Sequence, residues 1–519
     1  MMDREKVSRV FLILLSLLTT SVSTANDAVD VSFEISRFIV EGDNPLGDEA
    51  IDLLNPYLGQ HTGLERLSSA SEALTKALES EGYSFHRVVL PPQELDSGTV
   101  RLEIVSFVLG SIDVSGNQHF STENILNSLP ELKSGQAPNS RKLSRALKIA
   151  NAHNAKFARV AFRQGFEDNS IDATVQVADR NPQSLFVAAD NTGNDETEDL
   201  RMTVGYQHSN LFDSDQMITA SFTTAPEDTD KASQYGISYR VPLYNHGAAL
   251  DFLISNSDVD SGEVADDFDV SGKGSVVSAI YTRPILSDGS FNHNWSIGLQ
   301  DKLFENDLSF AGVPIGSDVR SRPLVLGYDL SNKFNSSVIN AYASISANVS
   351  GGSKNEDEDY ELTRVGAKSD WSVLRFGGDY SYYFANKWRF TGRLDAQVSS
   401  EPLIPGEQFG VGGMSSLRGF EERSVQGDSG TSLRFEGWAP PLTDYSLQFI
   451  GFIDVANVTL EDAQVGEDDD VSPQSVGLGL RWSWKQQLSL SLDHGSIIEG
   501  VGDQEDGDSK THFSLIYRY

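Results

Sequence analysis

Two hydrophobic periodicities divide this 519-residue chain. In the first part, apolar residues recur every three or four positions, as they do along one face of a helix. Leu67, Ala70, Leu74, Ala77 and Leu78 form one such stripe, with Gly82 as its stop signal; Leu143, Ala146, Leu147 and Ala150 form another. Beyond Arg180 the helical spacing vanishes and a period of two runs to the last residue. Val476-Gly477-Leu478-Gly479-Leu480-Arg481-Trp482-Ser483-Trp484 alternates apolar with small or polar residues, as does Leu488-Ser489-Leu490-Ser491-Leu492.

The helical stripes belong to a repeat. Phe38-Ile39-Val40-Glu41-Gly42-Asp43-Asn44 returns in altered form as Ile112-Asp113-Val114-Ser115-Gly116-Asn117. Each copy reads as a strand ending in a glycine turn and leading into helix. Each then closes on two strand-like runs: Arg87–Leu90 with Val100–Ile104, and Ala158–Phe162 with Ile171–Val175. The pattern predicts two β-α-α-β-β units of about 75 residues, each large enough to fold alone. They are assigned to residues 26–107 and 108–180, followed by a β region at 181–519.

Alternation with an apolar and a polar face suits a transmembrane barrel strand, but a soluble sandwich alternates too. The two termini decide. Arg4, Lys6 and Arg9, diluted by Asp3 and Glu5, precede the apolar run Val10–Leu18 and then Ser23-Thr24-Ala25, which predicts a cleaved Sec signal peptide over 1–25. That run is too short to cross a bilayer as a helix. At the other end, Phe513, Leu515, Tyr517 and Tyr519 share one face of a final strand. The β region then holds roughly 16 strands with short inner turns and long outer loops. Tyr239-Arg240-Val241-Pro242-Leu243 and Tyr281-Thr282-Arg283-Pro284-Ile285 are expected to be two of the short turns.

Composition narrows the function. A mean hydropathy of -0.30 argues against a helical membrane protein and leaves a barrel open. There is no cysteine, so an exported chain relies on burial and hydrogen bonds. The net charge of -35 argues against nucleic acid as a partner. The acid is clustered at Asp266-Asp267, Asn355–Asp359, Glu467–Asp470 and Asp503–Asp508, as in solvated loops, and no cluster matches an EF-hand. No P-loop or zincin motif occurs, and the nine histidines show no metal-ligand spacing; His208 and His494 read as strand or turn residues. Gly427-Asp428-Ser429-Gly430 is similar to a serine-protease nucleophile segment, but Thr431 follows in place of glycine and no fitting histidine region precedes it. The sequence therefore predicts no enzyme, no cofactor and no metal.

The most informative stretch is Gly412-Gly413-Met414-Ser415-Ser416-Leu417-Arg418-Gly419-Phe420, followed by Gly427, Asp428 and Gly430. An arginine among small residues can enter a confined space, where its cation needs an acidic partner. This stretch resembles the lumen-loop motif of the Omp85 superfamily, in the form found in TpsB transporters of two-partner secretion. The resemblance extends over nearly all the mature chain. The two N-terminal units resemble POTRA domains, and Leu90-Pro91-Pro92-Gln93-Glu94-Leu95 resembles the proline-glutamine turn of the first. Asp190–Gly193 and Gly205–Phe212 are similar to the opening barrel hairpin, and the last strand resembles the β-signal read by the barrel-assembly machinery.

The resemblance implies that Leu417-Arg418-Gly419-Phe420 tips a loop, around 410–430, that folds back into the barrel. It implies that Arg418 pairs with Asp454 of Phe452-Ile453-Asp454-Val455-Ala456, where alanine stands in place of the usual glycine, and that Gly412, Gly413, Gly427, Asp428 and Gly430 support the loop. Its further implications are an outer-membrane location among lipid and lipopolysaccharide, and a secreted TpsA-like partner. That partner would be a haemolysin, adhesin or contact-dependent toxin, caught unfolded by the POTRA domains and folding outside. With only a few residues between the expected cleavage site and the first unit, the plug helix of some relatives is not expected here. An Omp85-type insertase and a passive porin or adhesive barrel are the alternatives.

Overall fold

The structure, a computed structural model, describes residues 32–95, 97–193, 198–229, 231–258, 263–265, 268–269, 273–286, 291–305, 309–310, 313–314, 317–442, 446–485 and 487–519. The expected signal peptide and the pair Asp266-Asp267 lie outside these residues.

In the first unit the strand Arg37–Gly42 leads into a short helix, Glu49–Asp52, and a long one, Glu65–Ser80. The long helix buries Leu67, Ala70, Leu74 and Leu78 and leaves Ala77 half-buried. Strands His86–Val89 and Thr99–Ser106 complete a three-stranded sheet whose last strand is central, parallel to the first and antiparallel to the other. A small ribbon, Ser32–Ile35 with Gly59–Thr62, was not expected, because Gly59-Gln60-His61-Thr62 has little apolar signal. The proline-glutamine turn has a physical task. Gln93 Oε1 accepts the Arg101 N–H at 2.7 Å and Gln93 Nε2 donates to the Arg101 carbonyl at 2.8 Å. Its side-chain amide thus satisfies backbone groups beyond the end of the neighbouring strand.

The second unit repeats the order: strand Val108–Ser115, helices Thr122–Asn127 and Ser140–Asn151, strands Lys156–Gln164 and Ser170–Asp179. Its sheet has the same order and directions. Ser121 and Asn139 cap the two helices, each accepting a backbone N–H at 3.0 Å.

Sixteen antiparallel strands close into a barrel among the described residues. In chain order they are β1 (Gln183–Asp190), β2 (Arg201–Leu211), β3 (Gln216–Thr224), β4 (Ser233–Leu243), β5 (Ala248–Asp258), β6 (Lys273–Ile285), β7 (Asn292–Phe304) and β8 (Val319–Ser321 continuing as Pro323–Lys333). The circuit continues with β9 (Ser337–Asn348), β10 (Ser372–Tyr383), β11 (Arg389–Ser399), β12 (Ser429–Trp438), β13 (Gln448–Thr459), β14 (Asp470–Val471 continuing as Gln474–Trp484), β15 (Leu488–Glu499) and β16 (Ser509–Arg518). β16 pairs with β1, and the backbone of Tyr519 exchanges two further hydrogen bonds with Leu185, so the last residue extends the seam.

Short turns lie at the end where the second unit enters β1, and long connections at the other. Pro242 and Pro284 sit in strands β4 and β6, not in turns as expected; the turns begin one residue or more later. Each proline lies where one neighbouring strand has stopped pairing, so its missing N–H breaks no ladder on that side. The acidic runs Asn355–Asp359 and Asp503–Asp508 fall on long connections, and Glu467–Asp470 ends one where Asp470 opens β14. The first of these also builds structure: Glu356 and Asp359 form a capping box for the helix Asp357–Thr363.

Alternation sorts the wall. In β13, Phe449 and Ile453 face outward, while Ile450, Phe452, Asp454 and Ala456 are buried inside. Leu478 on β14 is 73% exposed on the outer face, the surface a bilayer would cover. Tyr382, Phe384, Trp388 and Phe390 crowd the turn end of β10 and β11 as an aromatic belt.

Candidate functional site: a loop held in the barrel lumen

The connection from β11 to β12 runs inward. It contains one turn of 3-10 helix, Pro405–Glu407, and a small hairpin, Phe409–Val411 with Val425–Gly427. Residues 412–424 form its tip. Gly412 at φ 125° and Gly413 at φ 83° take backbone conformations that side-chain-bearing residues avoid, and these start the tip.

Arg418 is 1% exposed. Its Nε and Nη2 donate to the two carboxylate oxygens of Asp454 at 2.8 and 2.7 Å, and its backbone N–H reaches Asp454 Oδ2 at 3.1 Å. Nη1 donates to Glu436 Oε1 at 2.7 Å, and Asp493 lies 3.8 Å away. Asp493 is itself held by both terminal nitrogens of Arg481, at 2.7 Å each. The guanidinium carbon sits 3.6 Å from the centre of the Phe452 ring. A cation this desolvated is tolerable only with such bidentate and stacked partners.

The partners come from different strands: Glu436 from β12, Asp454 from β13, Arg481 from β14 and Asp493 from β15. His512 on β16 completes the arc by accepting the Gly419 N–H at Nε2, 3.1 Å away. Glu436 lies seven residues below the outer end of β12, so the tip reaches roughly 23 Å down the wall. Leu417 and Phe420, flanking Arg418 and Gly419, are fully buried with Val411, Ala456, Val458 and Ile497. The Ala456 methyl packs in this cluster. The close backbone approach occurs instead at Gly419, φ 100°, lying against Gly495 of β15.

At the loop's return, Asp428 is fully buried and accepts from Arg364 Nη1 and Nη2 (the latter at 2.8 Å), Leu403 N at 2.8 Å, Glu461 N at 2.7 Å and Gln408 Nε2 at 3.3 Å. It ties together the connections 349–371, 400–428 and 460–469. Gly427 and Gly430 leave space that a side chain would take from Val458 and Phe409.

Sequence reasoning missed the opposite anchor. Glu407, 1% exposed, meets Lys302 of β7 at 3.0 Å and accepts from Ser321 of β8 at 2.6 Å. The loop therefore presents an acid to a basic wall and, at its tip, a base to an acidic wall. It also missed Glu436, Asp493, Arg481, His512 and Arg364. Their only sequence signal is a charge at an inward position of an alternating strand, or a lone arginine in an acidic loop. Of the residues expected to form the terminal signal, Leu515 and Tyr517 face outward on β16, and Tyr519 follows that strand.

A closed sixteen-stranded barrel preceded by a POTRA domain is the architecture of an outer-membrane transporter, with its POTRA region in the periplasm. The chain matches the family described as "Haemolysin secretion/activation protein ShlB/FhaC/HecB" over residues 169–481 and the "POTRA domain, ShlB-type" over 33–106, and it belongs to the ShlB/FhaC/HecB family. It is 22% identical over 508 residues to the outer membrane transporter CdiB of Escherichia coli, covering 93% of this chain and 81% of that one. It is 19% identical over 479 residues to the heme/hemopexin transporter protein HuxB of Haemophilus influenzae, covering 90% and 83%. The solved structure of CdiB from Escherichia coli superposes with a TM-score of 0.70 at 17% identity, covering 96% of this chain and 93% of that chain.

Proposed function

We propose that this chain carries one large partner exoprotein from the periplasm to the cell surface by two-partner secretion. Two POTRA domains, 26–107 and 108–180, receive the client unfolded, and the barrel 181–519 conducts it. The observation that carries this reading is the lumen loop. A sixteen-stranded barrel is wide enough to hold an aqueous channel, and here the loop 400–428 occupies it through charge-matched contacts. Sheet edges in the POTRA domains can take up an extended chain as an added strand. The sequence has no P-loop, so folding of the client outside supplies the drive.

The test compares secreted and outer-membrane proteomes with and without this gene. Loss of one large protein from the medium or cell surface, with other barrels unchanged, is expected and would name the client. A general fall in outer-membrane barrels would mean an assembly factor and would overturn the proposal.

A further inference from the structure

The helix Ser140–Asn151 carries Arg141, Lys142, Arg145 and Lys148 and no acid, within a chain of net charge -35. Arg141, Arg145 and Lys148 follow the i, i+4, i+7 spacing of one stripe, opposite the buried Leu143, Ala146 and Ala150. Two of the cations occupy the first turn, where the helix dipole disfavours positive charge. Helix stability therefore does not explain them.

The stripe lies against the short-turn end of the barrel. The Arg145 stem crosses the β4–β5 turn so closely that a Cβ on Gly247 would fall 2.2 Å from Arg145 Cδ. Lys148 Nζ reaches the Ile285 carbonyl, at the end of β6, at 3.4 Å. Arg283 adds a fifth cation and repels Arg145. It pairs across the sheet with Trp295 and shares the outer face with Ile297, both part-exposed, while Tyr281 and Trp295 stack with ring centres 5.6 Å apart.

Among the described residues, Arg145, Lys148 and Arg283 meet no carboxylate, and the buried Arg145 Nε has no hydrogen-bond partner. Burial, with the neighbouring Arg283 and Arg141 cations, pushes the Arg145 guanidinium below its ordinary value, and burial does the same to Lys148. Arg145 and Lys148, partly desolvated and beside Arg283 with no carboxylate against any of the three, call for an external anion.

We propose that Arg145, Lys148 and Arg283 bind the phosphate of an anionic phospholipid in the periplasmic leaflet. The aromatic pair marks headgroup depth, Arg283 faces the lipid side of the wall at the turn end, and Arg145 and Lys148 lie against that same end. Lipopolysaccharide belongs to the opposite leaflet and cannot reach this rim. The contact would fasten the second POTRA-like unit to the membrane surface as well as to the barrel.

The test uses the full chain in phosphatidylethanolamine nanodiscs with increasing phosphatidylglycerol, reading amide exchange over residues 140–151. Phosphatidylglycerol is expected to slow exchange there. Arg145→Gln and, separately, Arg283→Gln should each raise the fraction needed for half protection about fivefold, the worth of one cation at a charged surface. Arg283→Gln alters the outer wall alone and stands in if Arg145→Gln disturbs the helix; heat-modifiable gel migration checks each barrel. Equal protection in phosphatidylethanolamine alone, or no shift in the folded variants, would overturn the proposal. So would full protection by inorganic phosphate without phosphatidylglycerol, which would mean a free-anion site.

Discussion

Gly495 lies directly beneath Arg418: a Cβ built on Gly495 would stand 2.6 Å from both the carbonyl carbon and the carbonyl oxygen of Arg418. The bidentate pairing of Arg418 with Asp454 therefore requires a bare backbone on β15. Gly495→Val should lift the tip off the wall, an overpacking cost of about 1–3 kcal/mol. Arg418→Ala removes the charge contact instead. Both variants should insert as barrels and secrete poorly, measured as client in the medium against barrel in the membrane. Normal secretion by an inserted Arg418→Ala protein would remove the role proposed for the tip.

Asp428 gathers three outer connections through Arg364. Arg364→Met would leave a buried carboxylate without its cation, a local loss of about 3–5 kcal/mol. The helix Asp357–Thr363 and the loop return should loosen together, while the Arg418 contacts deeper in the lumen persist. Single-channel recording in planar bilayers should show more frequent or larger openings than the parent. An unchanged conductance would mean that this pair stabilises the loops without restricting the pore.

A third buried pair joins the second unit to the barrel. Lys156 Nζ meets Asp215 at 2.5 Å with both side chains almost fully buried, and Asn124 and Tyr244 donate to the same carboxylate at 3.0 and 2.6 Å. Lys156→Met should cost about 3–5 kcal/mol at this junction. Faster amide exchange in residues 207–216 and 122–127, with the rest of the barrel unaffected, is the expected signature. Exchange as slow as in the parent would show that the junction rests on its apolar contacts.

Acid should act on the same junction through His153. Its Nε2–H donates to the Ser209 carbonyl and its Nδ1 accepts the Ala155 N–H at 3.1 Å, so the neutral ring satisfies both neighbours. Burial lowers its pKa from the ordinary histidine value; the Ser209 bond and Asp215 oppose this, while Lys156 and Arg240 add to it. With the folded value depressed, the stabilisation is complete above about pH 6.5 and is lost as pH falls through the lower folded value. Exchange protection at 207–216 should fall on acidification from neutrality, and His153→Gln should flatten that dependence. A profile identical to the parent's would assign the acid response elsewhere.

Local pattern made much of this molecule legible. The spacing of Leu67, Leu74, Leu143 and Ala150 marked two helices because a helix is a local structure with its own period. Alternation marked the barrel strands, and Arg418 and Asp454, 36 residues apart, could be paired in advance because residue type and motif travelled together. The prolines at 242 and 284 were misread as turns because local chemistry shows where proline is tolerated, not where a neighbouring strand ends.

The tertiary structure alone decided what surrounds that pair. Gly419 meets His512 across 93 residues, and Arg364 meets Asp428 across 64. The loop's second anchor, Glu407, depends on Lys302 from 105 residues earlier. Such meetings follow from strand register and from closure of β16 on β1, which bring distant inward positions to the same depth of one lumen. The sequence by itself determined which residues would be charged, small or inward; the closed wall determined which of them would touch.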